Sequence, residues 1–306
     1  MARVLDGKAC AKAIEEELAV LVPTLGMVTK VALLLVGTKT DSKSYVRLKK
    51  NACERVGIVA DVHEVDGDVT LEALTALICA LNDDPAVHGV LLQLPLPEHL
   101  QPAEESLLEL IRPEKDIDGL HSEHFFHLAK KQQQQAAAAG SNAAHLRLEP
   151  CTPAGCLELL ARNGVDVAGK DVVVVGRGQL VGLPLALMLQ QRDATVTACH
   201  SKTTDLAGHV RRADIVFVGT GQPELVKGDW VKPGAVVVDV GINYVDDPGS
   251  KRGYKILGDV EYAAASARAS AITPVPGGVG PMTIAMLLKN AVACATFAAA
   301  QQEPGA

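Results

Sequence analysis

Four short runs in the second half of the chain, Val172–Val175, Thr195–Ala198, Ile215–Val218 and Val236–Val240, consist almost entirely of β-branched residues. Strands buried inside a parallel sheet read this way, as aliphatic stretches rather than as alternating patterns. The first half repeats the scheme. Val31–Val36, Ile58–Val62 and Val87–Leu92 read as strands, with helical patterns over Ser42–Val56 and Leu71–Leu81 between them. Strand alternating with helix requires parallel pairing through crossover helices, hence an α/β protein of two units. Its 306 residues suffice for two domains.

The expected first domain covers 1–149 and the second 150–281, with the boundary near Pro150. From Ile284 to Ala300 the sequence is Ala-rich and helical in pattern, and residues 282–306 are expected to pack back on the first domain. Lys130–Arg147, with its run of four Gln and its run of four Ala, is low-complexity sequence, a loop or a short local helix. It carries no assigned chemistry.

Aromatic residues make up only 3% of the chain against 48% hydrophobic, so the core must be aliphatic. A net charge of −7 speaks against a nucleic-acid partner, which demands a basic face. Met1–Val20 is broken by Asp6, Glu15, Glu16 and Glu17 and resembles neither a secretory signal nor a transit peptide. Val31–Val36 is far too short to span a bilayer, so no membrane partner is expected. The seven cysteines are odd in number and scattered, as in a reduced, cytoplasmic protein. A leader removed before residue 1 would leave no trace in this sequence.

After the strand Val172–Val175 comes Gly176-Arg177-Gly178-Gln179-Leu180-Val181-Gly182, then a helix with Pro184 near its start. Glycines allow a tight strand-to-helix turn and close approach of backbone N–H groups to a pyrophosphate, which the helix N-terminus favours. The Gly-x-Gly-x-x-x-Gly spacing is one residue longer than the common dinucleotide fingerprint, and alone it describes any glycine-rich turn. Strand, turn, helix and second strand in register point to a dinucleotide. An NAD site places a carboxylate at the end of the second strand, for the ribose hydroxyls. Here the stretch is Cys199-His200-Ser201-Lys202-Thr203, without an acid until Asp205, while Arg177 and Lys202 supply cations. NADP is expected over NAD.

Tyr45 and Lys49 stand at i and i+4, on one face of the first helical stretch. A lysine beside a phenol in a partly dehydrated site can serve as an acid/base group, though an amphipathic surface helix also accommodates the pair. Short-chain dehydrogenases use Tyr-x-x-x-Lys after the glycine turn; here it comes before, which rejects that reading. Gln93 is the single amide in the apolar run Gly89–Pro97 and needs a partner. Asp118, in Pro113–Gly119, offers a carboxylate on what could equally be a plain Asp-Gly turn. Thr273–Pro281 is dense in Pro and Gly and is expected to be a rigid loop, neither helix nor strand.

His121-Ser122-Glu123 and Pro150-Cys151 are similar to a fragment of the zinc deaminase pattern. The second cysteine is due where Ala154 stands, and Cys156 falls two residues late. No ligand spacing follows from His121, His124 and His127 either, and no metal is expected.

In this order, the stretches Ser42–Lys49, Gly89–Pro97, Pro113–Leu120, Pro150–Gly155, Gly169–Pro184, Ala213–Gly221, Gly234–Gly241 and Thr273–Leu287 resemble the bifunctional methylenetetrahydrofolate dehydrogenase/cyclohydrolase family. The most specific are Lys115–Gly119 and Pro274–Thr283. The resemblance implies a catalytic α/β domain and a Rossmann-type NADP domain with a folate cleft between them, in a homodimer joined through the cofactor domains. It implies oxidation of 5,10-methylenetetrahydrofolate by NADP⁺, then hydrolysis of the methenyl product to 10-formyltetrahydrofolate. Lys49 matches the family's catalytic lysine, Tyr45 the hydroxyl beside it, which also meets substrate, and Gln93 the amide that tunes that lysine. Asp118 matches the carboxylate that grips the pterin, and Gly280 and Pro281 the loop lining the folate site. Gly176, Arg177, Gly178, Gly182, Ser201 and Ile242 make up the implied cofactor set. One position departs: the family commonly has Ser where this chain has Gly178, which puts more of the 2′-phosphate contact on Arg177 and Ser201.

Two rival readings fit the residues less well. A shikimate-dehydrogenase-like enzyme would use a Lys/Asp pair but leaves Gln93 and the Pro274–Pro281 loop without a role. A non-catalytic folate- and nucleotide-binding protein has no use for Tyr45, Lys49, Gln93 and Asp118 together.

Overall fold

Residues 1–130, 146–250 and 253–302 are described by a computed structural model of the chain, so most of the Gln/Ala-rich stretch lies outside the described residues. Two compact units divide the chain: Met1–Ala11 with Thr152–Thr283, and Lys12–Cys151 with Ile284–Ala306. The first eleven residues therefore group with the second α/β unit rather than with 12–149. The reason is a strand too short to read in sequence. β1 (Arg3–Val4) pairs in parallel with β11 (Ala271–Ile272).

That unit is a six-stranded parallel sheet. Beside β11 lies β8 (Val236–Asp239), then β7 (Ile215–Val218), β5 (Asp171–Val175) and β6 (Thr195–Cys199). The chain goes from β5 outward to β6 and then returns to the other side for β7, so the strand order reverses at the carboxyl ends of β5 and β7. Ligands of open α/β sheets bind at such a point. Every residue of β7 is buried, as are Val172–Val175 of β5, because helices flank the strands. α6 (Cys151–Arg162), α7 (Gly182–Gln191), α8 (Leu206–Arg212) and α9 (Tyr262–Ser266) include these helices, while α1 (Gly7–Leu21) has its larger part in the other unit. An antiparallel hairpin, β9 (Asn243–Asp246) with β10 (Tyr254–Leu257), follows β8 and was not anticipated.

In the other unit β2 (Lys30–Val36) lies between β3 (Val59–Val65) and β4 (Gly89–Leu92), all parallel. Crossovers run through α2 (Thr40–Arg55) and α3 (Leu71–Asp83), followed by α4 (Glu104–Leu110) and α5 (Ser122–Ala129). α3 buries Leu74, Ile78 and Leu81, the spacing of one helical face, each contributing roughly 1.5–3 kcal/mol of burial. The last helix, α10 (Val279–Gln302), is long and apolar enough to cross a membrane by length and hydropathy, and half of that span is buried inside the protein. The start of α10 corrects one expectation. Gly280 and Pro281 lie in its first turn, not in a loop, because proline is tolerated where the N–H has no partner in the helix. The Thr273–Val275 part keeps irregular backbone beyond β11, and Leu94–Pro95 and Val275–Pro276 are cis.

Candidate functional site

α2 buries Ser42, Val46, Lys49, Ala52 and Cys53, one stripe at three- and four-residue spacing that Val56 continues just past the helix end. A lysine in that stripe is out of place unless something receives it. Its Nζ donates to Gln93 Oε1 at 3.1 Å. Gln93 follows β4, and its backbone N–H is tied to Leu34 O at 2.9 Å. The side-chain Nε2 donates to Leu94 O at 2.7 Å, which fixes the amide so that its oxygen turns to the lysine. Tyr45 is half-buried one turn before Lys49 on α2.

Asp118 sits in the loop that runs beside β4, where Val90 bridges to Asp116. Its carbonyl accepts the N–H of Cys151 at 3.2 Å. The Cys151 thiol donates to Ile117 O at 3.2 Å. Burial, and next the Asp118 carboxylate, push that thiol well above its ordinary pKa, while the Lys49 ammonium opposes them. The lysine and the aspartate therefore both act on one buried sulfur, which brings Lys49, Gln93, Asp118 and Cys151 into one neighbourhood.

Several groups that shape this loop escaped the sequence reading. Asp116 is buried and accepts Gly119 N at 3.1 Å and His121 N at 2.7 Å. Burial raises its pKa to about 7 against the pull of those N–H groups. Gly119 has φ +72°, and a Cβ there would strike the backbone of Glu149 and Pro150. Lys115 donates to the carbonyls of Leu81, Asn82 and Asp84, closing the end of α3. Of the three histidines, His124 donates to Pro113 O and accepts from Leu148 N, and burial lowers its pKa to about 4. His121 caps α5 through Glu123 N, and His127 lies beside Glu123.

In the other unit the glycine turn joins β5 to α7 at the strand-order reversal. A Cβ on Gly176 would overlap Gly219 O, and one on Gly182 would overlap Gly176 O, so only glycines let these segments approach. Val181 makes no side-chain cap on α7, and in the first turn Leu183 N donates back to Gly178 O at 3.1 Å. Arg177, Gly178, Ser201 and Lys202 are exposed. The His200–Thr203 turn that carries Ser201 is held by Thr203 Oγ1 on His200 N at 2.8 Å. Asp205, the first carboxylate after β6, accepts from Gly208 N at 3.0 Å and caps α8. Cations and hydroxyls at this end of β6, with the acid engaged elsewhere, fit a dinucleotide bearing a 2′-phosphate.

The loops after β7 and β8 are held by two buried aspartates that the sequence reading also missed. Asp239, closing β8, accepts from the N–H groups of Gly241, Asp259 and Val260 at 2.9 Å each. Burial raises its pKa to about 7. Asp259 accepts from Thr220 Oγ1 and Gly221 N at 2.9 Å and from Asn243 Nδ2 at 2.8 Å. Together they tie the loops after β7 and β8. Ile242, in that region, is 38% exposed, and a Cβ on Gly280 would lie 3.8 Å from its Cδ1. The residue matched to cofactor and the residue matched to folate therefore adjoin within this unit, with half-buried Pro281 next in the chain.

Two family models match the chain. Residues 5–118 match the tetrahydrofolate dehydrogenase/cyclohydrolase catalytic domain, and residues 150–299 the NAD(P)-binding domain of the same family. "Bifunctional protein FolD 2" of Geobacter sulfurreducens is 48% identical over 97% of this chain and 98% of its own. "Bifunctional protein FolD 4, chloroplastic" of Arabidopsis thaliana is 46% identical over 95% of this chain and 79% of its own. Among solved structures, the Trypanosoma brucei methylenetetrahydrofolate dehydrogenase-cyclohydrolase, complexed with NADP and an inhibitor, superposes with a TM-score of 0.89. It is 41% identical and covers 99% of each chain.

Proposed function

The chain belongs to the tetrahydrofolate dehydrogenase/cyclohydrolase family, and we propose from that premise how its residues divide the work. It is a bifunctional enzyme. NADP-dependent oxidation converts 5,10-methylenetetrahydrofolate to 5,10-methenyltetrahydrofolate, and hydrolysis then yields 10-formyltetrahydrofolate.

The observation that carries the division of roles is the buried Lys49 received by Gln93. The methenyl compound is amidinium-like and already electrophilic, so its hydrolysis needs a positioned water and a group that takes and returns a proton. Lys49 fills that role. Gln93 aims the lysine, and Tyr45 sets a hydroxyl beside the same substrate. Asp118 accepts from the adjacent N–H donors of the pterin, a charge-assisted contact. Gly280 and Pro281 line the folate.

Gly176 makes the tight turn, its own N–H held by Cys199 O at 2.9 Å, Gly178 and Gly182 bring backbone N–H groups to the pyrophosphate, Arg177 and Ser201 take the 2′-phosphate, and Ile242 packs against the cofactor. When bound, NADP⁺ supplies the hydride acceptor. The protein's part in that step is to hold the reacting groups in register rather than to move protons. The domains follow the same division, 12–149 for folate and catalysis and 150–281, joined by residues 1–11, for the dinucleotide, with 282–306 serving the first. A homodimer joined through the cofactor domains, working in the cytoplasm, completes the reading.

The test mixes protein, 5,10-methylenetetrahydrofolate and NADP⁺ and follows the absorbance of the methenyl chromophore, with NAD⁺ as the parallel arm. Transient methenyl absorbance with NADP⁺ and a weaker signal with NAD⁺ support the reading; no signal with either cofactor refutes it.

A further inference from the structure

Asn290 is a half-buried amide on α10, far along the chain from Lys49, Gln93 and Asp118. Its Nδ2 donates to Ile117 O at 3.0 Å and to Glu149 O at 3.0 Å, and lies 3.5 Å from Cys151 Sγ. Ile117 directly precedes Asp118, and Glu149 lies two residues before Cys151. The peptide on each side of Asp118 is thus gripped: Ile117 O takes Asn290 Nδ2 and the Cys151 thiol, and Asp118 O takes the Cys151 N–H. Gly119 adds to the constraint, because its backbone passes too close to Glu149 and Pro150 for any side chain. A single amide group therefore fastens the Asp118 loop and the segment leading to Cys151 to the same point of α10.

We propose that Asn290 is a positioning residue for folate, setting the direction of the Asp118 carboxylate through Ile117 and Cys151. This rests on the reading of Asp118 as the pterin's acceptor. Nothing in the geometry requires so exact a clamp for packing alone. The neighbours of Asn290 on α10, Leu287, Leu288, Ala291 and Cys294, are already buried. A residue serving only to fill space there would not need two carbonyl acceptors.

The experiment is steady-state dehydrogenase kinetics of the full chain, comparing wild type, Asn290→Asp, Asn290→Ser, Asp118→Ala and the Asn290→Ser/Asp118→Ala pair. Asn290→Asp keeps the shape but turns an oxygen toward two carbonyls. Loss of two such donations is expected to raise the KM for 5,10-methylenetetrahydrofolate about tenfold or more. The KM for NADP⁺ should stay within about twofold. Should Asn290→Asp fail to fold, Asn290→Ser, which retains one hydroxyl donor, carries the same test with a smaller rise. Because Asn290 acts through Asp118, the double variant should raise the folate KM no further than Asp118→Ala alone. An Asn290 variant with wild-type folate KM, beside a raised KM in Asp118→Ala, overturns the inference and leaves the reading of Asp118 standing. Equal rises for folate and NADP⁺, or an additive double variant, reduce Asn290 to a packing residue. A wild-type folate KM in Asp118→Ala refutes the reading of Asp118 itself, and the route assigned to Asn290 with it.

Discussion

Lys49 on α2 and Gln93 beyond β4 meet through a 3.1 Å hydrogen bond, and the glutamine is locked in turn by its own donation to Leu94 O at 2.7 Å. Gln93→Leu removes the acceptor and leaves a buried ammonium without that partner, an expense of about 1–3 kcal/mol. Hydrolysis of methenyltetrahydrofolate should fall at least tenfold, while NADP⁺ binding, a matter for the other unit, should hold. Cyclohydrolase and cofactor-binding assays on the purified variant check this; an unchanged hydrolysis rate separates Gln93 from the lysine's work.

The cofactor set makes a second prediction. A Cβ on Gly178 meets no atom within 4 Å, and the residue lies outside the left-handed backbone region. Gly178→Ser should therefore fold normally and, by adding a hydroxyl near Arg177, increase the preference for NADP⁺ over NAD⁺ several-fold. Arg177→Ala should move the same ratio the other way. Measured kcat/KM ratios decide the matter, and equal losses for both cofactors would remove Arg177 from the phosphate.

Gly119 gives a stability prediction with a functional echo. At φ +72° and against the Glu149 backbone, Gly119→Ala is strained twice and should cost about 2 kcal/mol or more. Folate affinity should drop with it, because Asp118 is the preceding residue. Chemical denaturation and folate KM together test this; a variant as stable as wild type would show that the loop relaxes freely.

His124 predicts how stability changes with acid. Its pKa is lowered to about 4 by burial, against an unfolded value near 6.5, so the folded state holds it neutral. Its contribution is intact above about pH 6.5 and is lost as pH falls through about 4, up to roughly 3 kcal/mol. Asp116 and Asp239, both raised to about 7, work in the opposite sense: what they contribute is present below about pH 4 and lost as pH rises to 7. Relative to His124→Gln, wild type should lose stability steadily between pH 6.5 and 4. Denaturant midpoints across that range measure it, and a constant difference would contradict the buried neutral imidazole.

The strands were readable because burial on both faces leaves an unmistakable aliphatic signature, and Ile215–Val218 agrees residue for residue with β7. β1 and β11 were not readable, since two residues carry no period and their pairing spans most of the chain. Pro281 misled for a physical reason: the same ring that forbids a helix interior is welcome in a first turn. At the site, Gln93 stood out as a polar residue in apolar company and Lys49 by its i, i+4 spacing from Tyr45. Asp116 and Asp239 did not, because the partners that hold them are backbone N–H groups, which no residue letter advertises, and Asp259 did not, because its partners Thr220 and Asn243 are distant in sequence. Asn290 was hidden for a related cause: its acceptors, Ile117 O and Glu149 O, lie more than a hundred residues away.

The most direct test of the account is the hydrolysis of preformed 5,10-methenyltetrahydrofolate by Lys49→Ala, followed as decay of the methenyl absorbance under conditions where the uncatalysed rate is subtracted. Removal of the acid/base group should slow the enzymatic rate by about a hundredfold or more. A variant that hydrolyses the methenyl compound at the wild-type rate would show that the buried amine of α2 does not carry the reaction.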